Sequence, residues 1–374
     1  MVKNCYLLLL ISELINKLKT AKYFTKLDIC WGYNNLCLVE GDEWKAVFHT
    51  NCGLFELLVM FFSLLNSPVT FQTMMNHLFR DLINQGKVVI YMDDIMVYTT
   101  TLKEHCTVVH EVLQILYNNK LYLKHEKCEF ETLETEYLGL VVSQNAVEMD
   151  PAKVSAIHDW PVPMSKKGLC RFLGFLNFYC CFIKNFAQIA HPLNVLTSIK
   201  RDFVWDDDTQ AAFVQLKQAL TAAPALAMPT DFDPYHVETD VSSFGIGAVL
   251  SQCQDAVWHP VAFTSHSLNE AECNYHVADL KMLAIMHALN EWQHHLLGAH
   301  HPFEVLTDHK NLEFFHKPQD LSWCQAHWQQ ILQEYDFSLS HRPGKSNPAD
   351  PLSQRPDFVK GVESNNSQQI LLPD

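Results

Sequence analysis

The feature that most constrains this chain is an acidic pair set inside an apolar run. Asp93 and Asp94 separate Val88-Val89-Ile90-Tyr91-Met92 from Ile95-Met96-Val97-Tyr98. Runs of β-branched and aromatic residues on either side favour two short strands folded back on each other, with the aspartates at the apex. An ionised carboxylate beside an apolar sheet must be paired, hydrogen-bonded or bound to metal. Asp is also a common turn former, so the pair reads equally as turn chemistry alone. A third acidic residue, Asp28, ends a similar stretch, Tyr23-Phe24-Thr25-Lys26-Leu27, ahead of Gly32 and Tyr33. Two neighbouring strands would then present three carboxylates to one place. Such an oxygen-only set suits a pair of Mg2+ ions ~3.5–4 Å apart serving an in-line phosphoryl displacement.

At 374 residues and 48% hydrophobic content the chain has material for two or three domains with buried cores, and disorder is expected only at its ends. No apolar run approaches the roughly 18 residues needed to span a bilayer, and Leu7 to Ile11 is too short for a secretory core. The expectation is a soluble intracellular protein, cytoplasmic or nuclear, without membrane contact. A net charge of −15 argues against strong duplex binding, which draws on Lys and Arg neutralising phosphates. Lys166-Lys167 with Arg171, and Lys200-Arg201, are local basic patches or ordinary solvated charges. The 12 cysteines show no Cys-x-x-Cys spacing, so neither a zinc ribbon nor a disulfide framework is supported. His125 with Cys128, and the His294-His295 and His300-His301 pairs, are weak metal candidates.

Residues from about 20 to 145 alternate strand-like and helical patterns, with helices expected over Phe71 to Ile83 and Glu104 to Asn118. Pro151, Pro161 and Pro163 precede another helical stretch, Gly168 to Asn185. A second β-rich region begins near His236. It predicts a strand to Asp240, a turn through Gly245 and Gly247, a strand to Gln252 and a third at Val261 to Phe263. One long helix is expected from about Glu270 to Leu297 with Gly298 as its cap, then a strand Phe303 to Thr307 leading into Asp308, then a helix Ser322 to Tyr335.

Several short motifs follow one another in order: Leu27-Asp28 with Gly32-Tyr33; Val59-Met60-Phe61-Phe62 with Asn66-Ser67-Pro68-Val69-Thr70-Phe71-Gln72; Tyr91-Met92-Asp93-Asp94; Lys127-Cys128-Glu129-Phe130; Tyr137-Leu138-Gly139; Phe172-Leu173-Gly174-Phe175; and Thr307-Asp308-His309-Lys310-Asn311-Leu312. In these the chain resembles the reverse transcriptase of gypsy-type LTR retrotransposons, fungal-like in kind, over nearly its whole length. The resemblance implies an α/β (α+β) multidomain fold. Residues 1–145 would form a polymerase palm with partial fingers, 146–228 a helical thumb or connection, 229–357 an RNase H-like domain and 358–374 a flexible tail.

The same resemblance makes Asp28, Asp93 and Asp94 the metal-holding catalytic carboxylates, with two Mg2+ per site. Tyr33 would lie beneath the incoming sugar and exclude a 2′-hydroxyl, with Phe62 packed beside it. Gln72 and Ser63 complete the substrate-binding set, relatives carrying glycine at the position of Ser63. Lys127 matches a lysine that protonates departing pyrophosphate, although a solvated surface lysine is a nearly equal reading. Implied partners are an RNA template, an RNA–DNA hybrid, deoxynucleoside triphosphates and other segments of the polyprotein.

For the RNase H-like domain, Asp240, Asp308 and Asp350 match three of four metal positions, and each reads alternatively as a turn or cap residue. The fourth, a glutamate in relatives, is Lys281 here. A lysine there repels cations and can pair with Asp240 or Asp308, while Asp279, two residues away on a helix, points elsewhere. Met1 falls where relatives already have tens of residues of fingers. Cys5, Cys30, Cys180, Cys181, Cys273 and Cys324 stand where relatives carry arginine. The expected function is RNA-directed DNA polymerase with an impaired RNase H, in a truncated and decayed copy. The other reading is a catalytically inactive remnant, inert or weakly nucleic-acid-binding.

Overall fold

A computed structural model describes residues 6, 11–199, 201–242, 244–308 and 323–341 of the chain. Its contacts divide the chain into two units, one of residues 1–156 with 225–230 and the other of 157–224 with 231–374.

The first unit is built on a four-stranded antiparallel sheet in the order Val88–Tyr91, Asp94–Thr99, Tyr23–Asp28, Glu129–Thr132. Alternation along the strands decides which side chains meet the helices. Val88, Ile90, Ile95, Val97 and Leu27 point into one core with Phe71 and Met75 of the helix Ser67–Leu78 and Val112 of the helix Leu102–Asn118. Val89 and Met96, one residue out of phase, are buried as well, so both sheet faces are covered. The helix expected from Phe71 to Ile83 starts earlier, with Pro68 in its first turn, and breaks at Phe79 before a short Arg80–Asn84 helix. A second antiparallel sheet orders Leu226–Ala227, Ala146–Met149, Leu140–Ser143 and Glu134–Tyr137. Its hairpin turns on Leu138 and Gly139, both at positive φ, the conformation a two-residue turn requires to match strand twist.

The second unit carries a five-stranded sheet in the order Val257–Ser267, Gly245–Gln254, Tyr235–Val241, Phe303–Thr307, Phe337–His341. The last three run parallel and the first two pair antiparallel. Val237, Leu250, Phe303 and Val305 pack against Met282, Ile285 and Leu289 of the helix Val277–Glu291. In the Asp207–Thr221 helix, the Asp206 side chain accepts from Thr209 N–H and the Thr209 hydroxyl accepts from Asp206 N–H, a complete capping box.

Three sequence expectations need correction in this unit. Gly245 and Gly247 lie within a strand and not in a turn, and a Cβ at Gly247 would sit 3.2 Å from Asn185 Cγ, so close packing explains that glycine. The helix expected from Glu270 to Leu297 is a 3-10 turn at Glu272–Asn274, the Val277–Glu291 helix and a short Gln293–Leu296 helix, because Trp292 leaves helical geometry (φ −106°, ψ 24°). Gly298, at φ +75°, does follow the last turn. The Gly168 to Asn185 stretch is helical only over Lys166–Phe178, and a 3-10 turn at Cys180–Phe182 precedes Asn185, which is left-handed at φ 55°.

Candidate active sites

Strand register brings the three aspartates to one end of the first sheet. Tyr91 pairs with Asp94, which leaves Met92 and Asp93 as the hairpin tip, with Met92 at φ 53°. Asp28 is the direct cross-strand partner of Asp94, an arrangement that puts two side chains on one face with Cβ atoms about 4.5–5.5 Å apart. Ile29 N–H donates to the Asp93 carbonyl at 3.1 Å and latches the tip to the same strand end. The register therefore gathers all three backbones.

The side chains are arranged less symmetrically. Lys124 Nζ lies 2.8 Å from Asp28 Oδ1, and Lys127 Nζ lies 3.4 Å from Asp28 Oδ2. Asp93 Oδ1 is buried with no hydrogen-bond partner. Burial pushes the Asp93 carboxyl above the usual carboxylate range, the Asp28 charge adds to this, and Lys124 opposes it. Asp94 is raised by burial too, with Lys26 opposing most strongly. Among the described residues no three His, Cys, Asp or Glu side chains form a group that could hold an ion, and the Asp28 oxygens lie beside Lys124 and Lys127. The donor set still fits a hard divalent cation: it is all oxygen, and the orphaned Asp93 Oδ1 is a buried acceptor that only a cation or a donor can satisfy.

A second pair of aspartates meets at the ends of parallel strands in the other unit. Glu238 pairs with Leu306, so continuing the register sets Asp240 beside Asp308. Lys281, on the Val277–Glu291 helix, is only 8% exposed, and its Nζ lies 2.7 Å from Asp308 Oδ1 and 3.5 Å from Asp240 Oδ1. One ammonium thus bridges both carboxylates. Asp279 accepts from Gln325 at 2.8 Å, away from this pair. Asp350 lies outside the described residues. These residues do not fit a divalent cation, since the lysine already supplies the positive charge where two acids converge.

Residues 3–142 match the family model described as reverse transcriptase (RNA-dependent DNA polymerase), and residues 231–335 match that of the RNase H-like domain found in reverse transcriptase. The chain carries a reverse transcriptase domain followed by an RNase H-like domain. It is 34% identical to the Transposon Tf2-3 and Tf2-4 polyproteins of Schizosaccharomyces pombe over 98% of its own length, and it spans 28% of theirs. In fold it is similar to the foamy viral protease-reverse transcriptase dRH in complex with double-stranded DNA, with a TM-score of 0.78 at 19% identity, covering 91% of this chain and 60% of that one. The foamy viral protease-reverse transcriptase in complex with an RNA/DNA hybrid gives a TM-score of 0.70 at 20% identity, covering 96% of this chain and 48% of that one. The expected fold class, a polymerase joined to an RNase H-like domain, is the one observed. Both families use divalent metals.

In the reverse transcriptase domain the remaining expected residues surround the acidic end in different ways. Tyr33 is 5% exposed, its ring edge-on to Phe62 at 4.9 Å and to Phe71 at 5.6 Å, and its hydroxyl donates to Met92 Sδ at 3.6 Å. Phe62 is 79% exposed, an open ring beside a buried one. Ser63 is exposed and is not among the positive-φ residues, so a serine backbone is unstrained there. Gln72, expected to bind substrate, is bonded to the hairpin that carries the aspartates. It is buried, its amide donates to the Ile90 carbonyl at 3.0 Å, and its oxygen accepts from Met92 N–H at 2.7 Å. It anchors the left-handed turn that carries Asp93. Lys124 went unrecognised in the sequence, although Lys124-x-x-Lys127 was a legible pair on one helical turn. No helix among the described residues is long and apolar enough to cross a membrane. The cysteines described are unpaired.

Proposed function

We propose that this chain is the RNA-directed DNA polymerase segment of a gypsy-type retrotransposon polyprotein of fungal kind, extending primers on RNA templates with deoxynucleoside triphosphates. The observation that carries the reading is the register pairing of Asp28 with Asp94 beside the Asp93 tip. Asp28, Asp93 and Asp94 would hold two Mg2+, which when bound activate the attacking hydroxyl and steady the leaving oxygen. Tyr33 and Phe62 would form the floor and wall for the sugar, the buried ring leaving no room for a 2′-hydroxyl. Lys127 would deliver a proton to departing pyrophosphate from an exposed side chain within reach of Asp28. We assign the palm to residues 1–145, the connection to 146–228 and the RNase H-like domain to 229–357.

In the RNase H-like domain the Lys281 bridge favours a different reading: binding of hybrid without cleavage, as in a decayed copy. Primer extension on an RNA template with Mg2+ tests the polymerase. Extension by the native chain and its loss in Asp93→Asn are expected, and absence of extension under all conditions leaves an inactive remnant. Hybrid cleavage is expected to be absent in the native chain and restored by Lys281→Glu. Equal cutting by both sinks the electrostatic argument.

A further inference from the structure

We infer that Asn76 is a positioning residue, holding the Gln72 amide in the orientation that fixes the turn carrying Asp93. A chain of hydrogen bonds leads from the surface to that turn. The exposed Tyr6 accepts at its hydroxyl from Asn76 Nδ2 at 2.7 Å, and with that nitrogen turned outward the Asn76 oxygen faces inward, accepting from Gln72 Nε2 at 2.9 Å. The same Gln72 nitrogen donates to the Ile90 carbonyl at 3.0 Å, and Gln72 Oε1 accepts from Met92 N–H at 2.7 Å. A side-chain amide has two N–H donors and one oxygen, so at Gln72 both donors are spent and the oxygen is committed to the turn. Gln72 is buried, so an N–H robbed of the Asn76 oxygen is left without a partner and costs free energy until the amide rotates to find another. Rotation draws the amide away from Ile90 and Met92.

The turn needs that hold. Met92 is left-handed at φ 53°, a state that a residue other than glycine keeps only where its surroundings over-determine it, and the Gln72 oxygen is one of the groups that do so. Gln72 and Asn76 lie four residues apart on the helix Ser67–Leu78, the spacing that stacks one side chain on the other. On an open helix face such a pair adds little. Here its inner member is buried and bonded to the hairpin tip, so the outer member acts on Asp93 through it. The inference rests on the polymerase reading for the role of Asp93.

The test compares the native chain with Asn76→Leu, Asn76→Asp, Gln72→Leu and the Gln72→Leu/Asn76→Leu double variant, reading amide hydrogen exchange at Met92 by nuclear magnetic resonance and steady-state primer extension on an RNA template with Mg2+. Asn76→Leu is expected to speed exchange at Met92 by about five- to tenfold, the worth of one hydrogen bond, while amides of the Leu102–Asn118 helix in the same unit keep their native rates. Asn76→Asp keeps an acceptor for Gln72 and should retain native protection. In the Gln72→Leu background Asn76→Leu should change nothing further. Primer extension by Asn76→Leu should show kcat lowered about fivefold with the nucleotide KM unchanged, as a small displacement of a reacting group requires. Native exchange at Met92 in Asn76→Leu, equal acceleration in the turn and the helix, lost protection in Asn76→Asp, additive effects in the double variant, or native kcat in Asn76→Leu each overturns the inference. If Asn76→Leu frees the Met92 amide but the native chain extends no primer, the polymerase reading fails and the hold of Asn76 on the turn stands.

Discussion

Replacing Gly32 by alanine adds one methyl group, and the structure says what it meets. Gly32 opens the 3-10 turn Gly32–Asn35 just after Trp31, which is left-handed at φ 57°. Gly32 itself has no positive φ, so alanine is permitted by the backbone and the effect is steric. Its Cβ would lie inside contact distance of Asp93 Oδ1, 3.0 Å from Asp93 Cγ and 3.3 Å from Phe71 Cζ. Phe71 is fully buried and cannot retreat, so the carboxylate must. Carbon atoms prefer about 3.5–4.0 Å, which means moving Asp93 by about 0.5–1 Å. A misplacement of about 1 Å at a reacting centre costs about a hundredfold in rate, so kcat for primer extension should fall by about 30–100-fold. The overpacking penalty should be about 1 kcal/mol, at the low end for such insertions because the carboxylate has an open side. The assay is steady-state extension on an RNA template with Mg2+, beside a thermal melt. Gly174→Ala, in open space on the Lys166–Phe178 helix, serves as control and should stabilise by about 0.5–1 kcal/mol. A Gly32→Ala chain with native kcat would refute the placement of Asp93 at the reacting centre.

Two other perturbations follow from the same unit. Gln72→Leu strands the Met92 N–H and the Ile90 carbonyl, so urea unfolding should report a loss of about 2 kcal/mol, and an unchanged midpoint would mean the amide is not the anchor. His105, fully buried between the Thr25 and Thr99 hydroxyls at 2.7 and 3.0 Å, is held below the ordinary histidine range by burial, against the opposing charge of Glu131. Folding favours the neutral ring, so its contribution is intact above about pH 6.5 and is lost as pH falls below that value. The urea midpoint should drop between about pH 7.5 and 5.5, and His105→Gln should flatten that slope.

Period-two alternation made the first sheet legible, because Val88, Ile90, Ile95 and Val97 face one core and a carboxylate pair at their junction has few places to go. Cross-strand pairing of Asp28 with Asp94 could be guessed from two similar runs, but the turn of Asp28 toward Lys124 could not, since it depends on a segment about a hundred residues away. The Gln72 anchor escaped for a related reason: a helix side chain bonding a turn leaves no periodic signature. In the RNase H-like domain, charge reversal at Lys281 was readable as a local contradiction, and the structure has it joined to both acids. The helix break at Trp292 was hidden because apolar spacing runs on through it, while only backbone angles record the interruption.

A domain that neutralises its own acidic strand ends with a side chain carries a built-in counter-ion. Chelators should leave the melting of the RNase H-like fold untouched, and added divalent salts should do nothing to raise it. Changing Lys281 to an acid would make that fold dependent on dissolved cations, trading self-sufficiency for the capacity to respond to them.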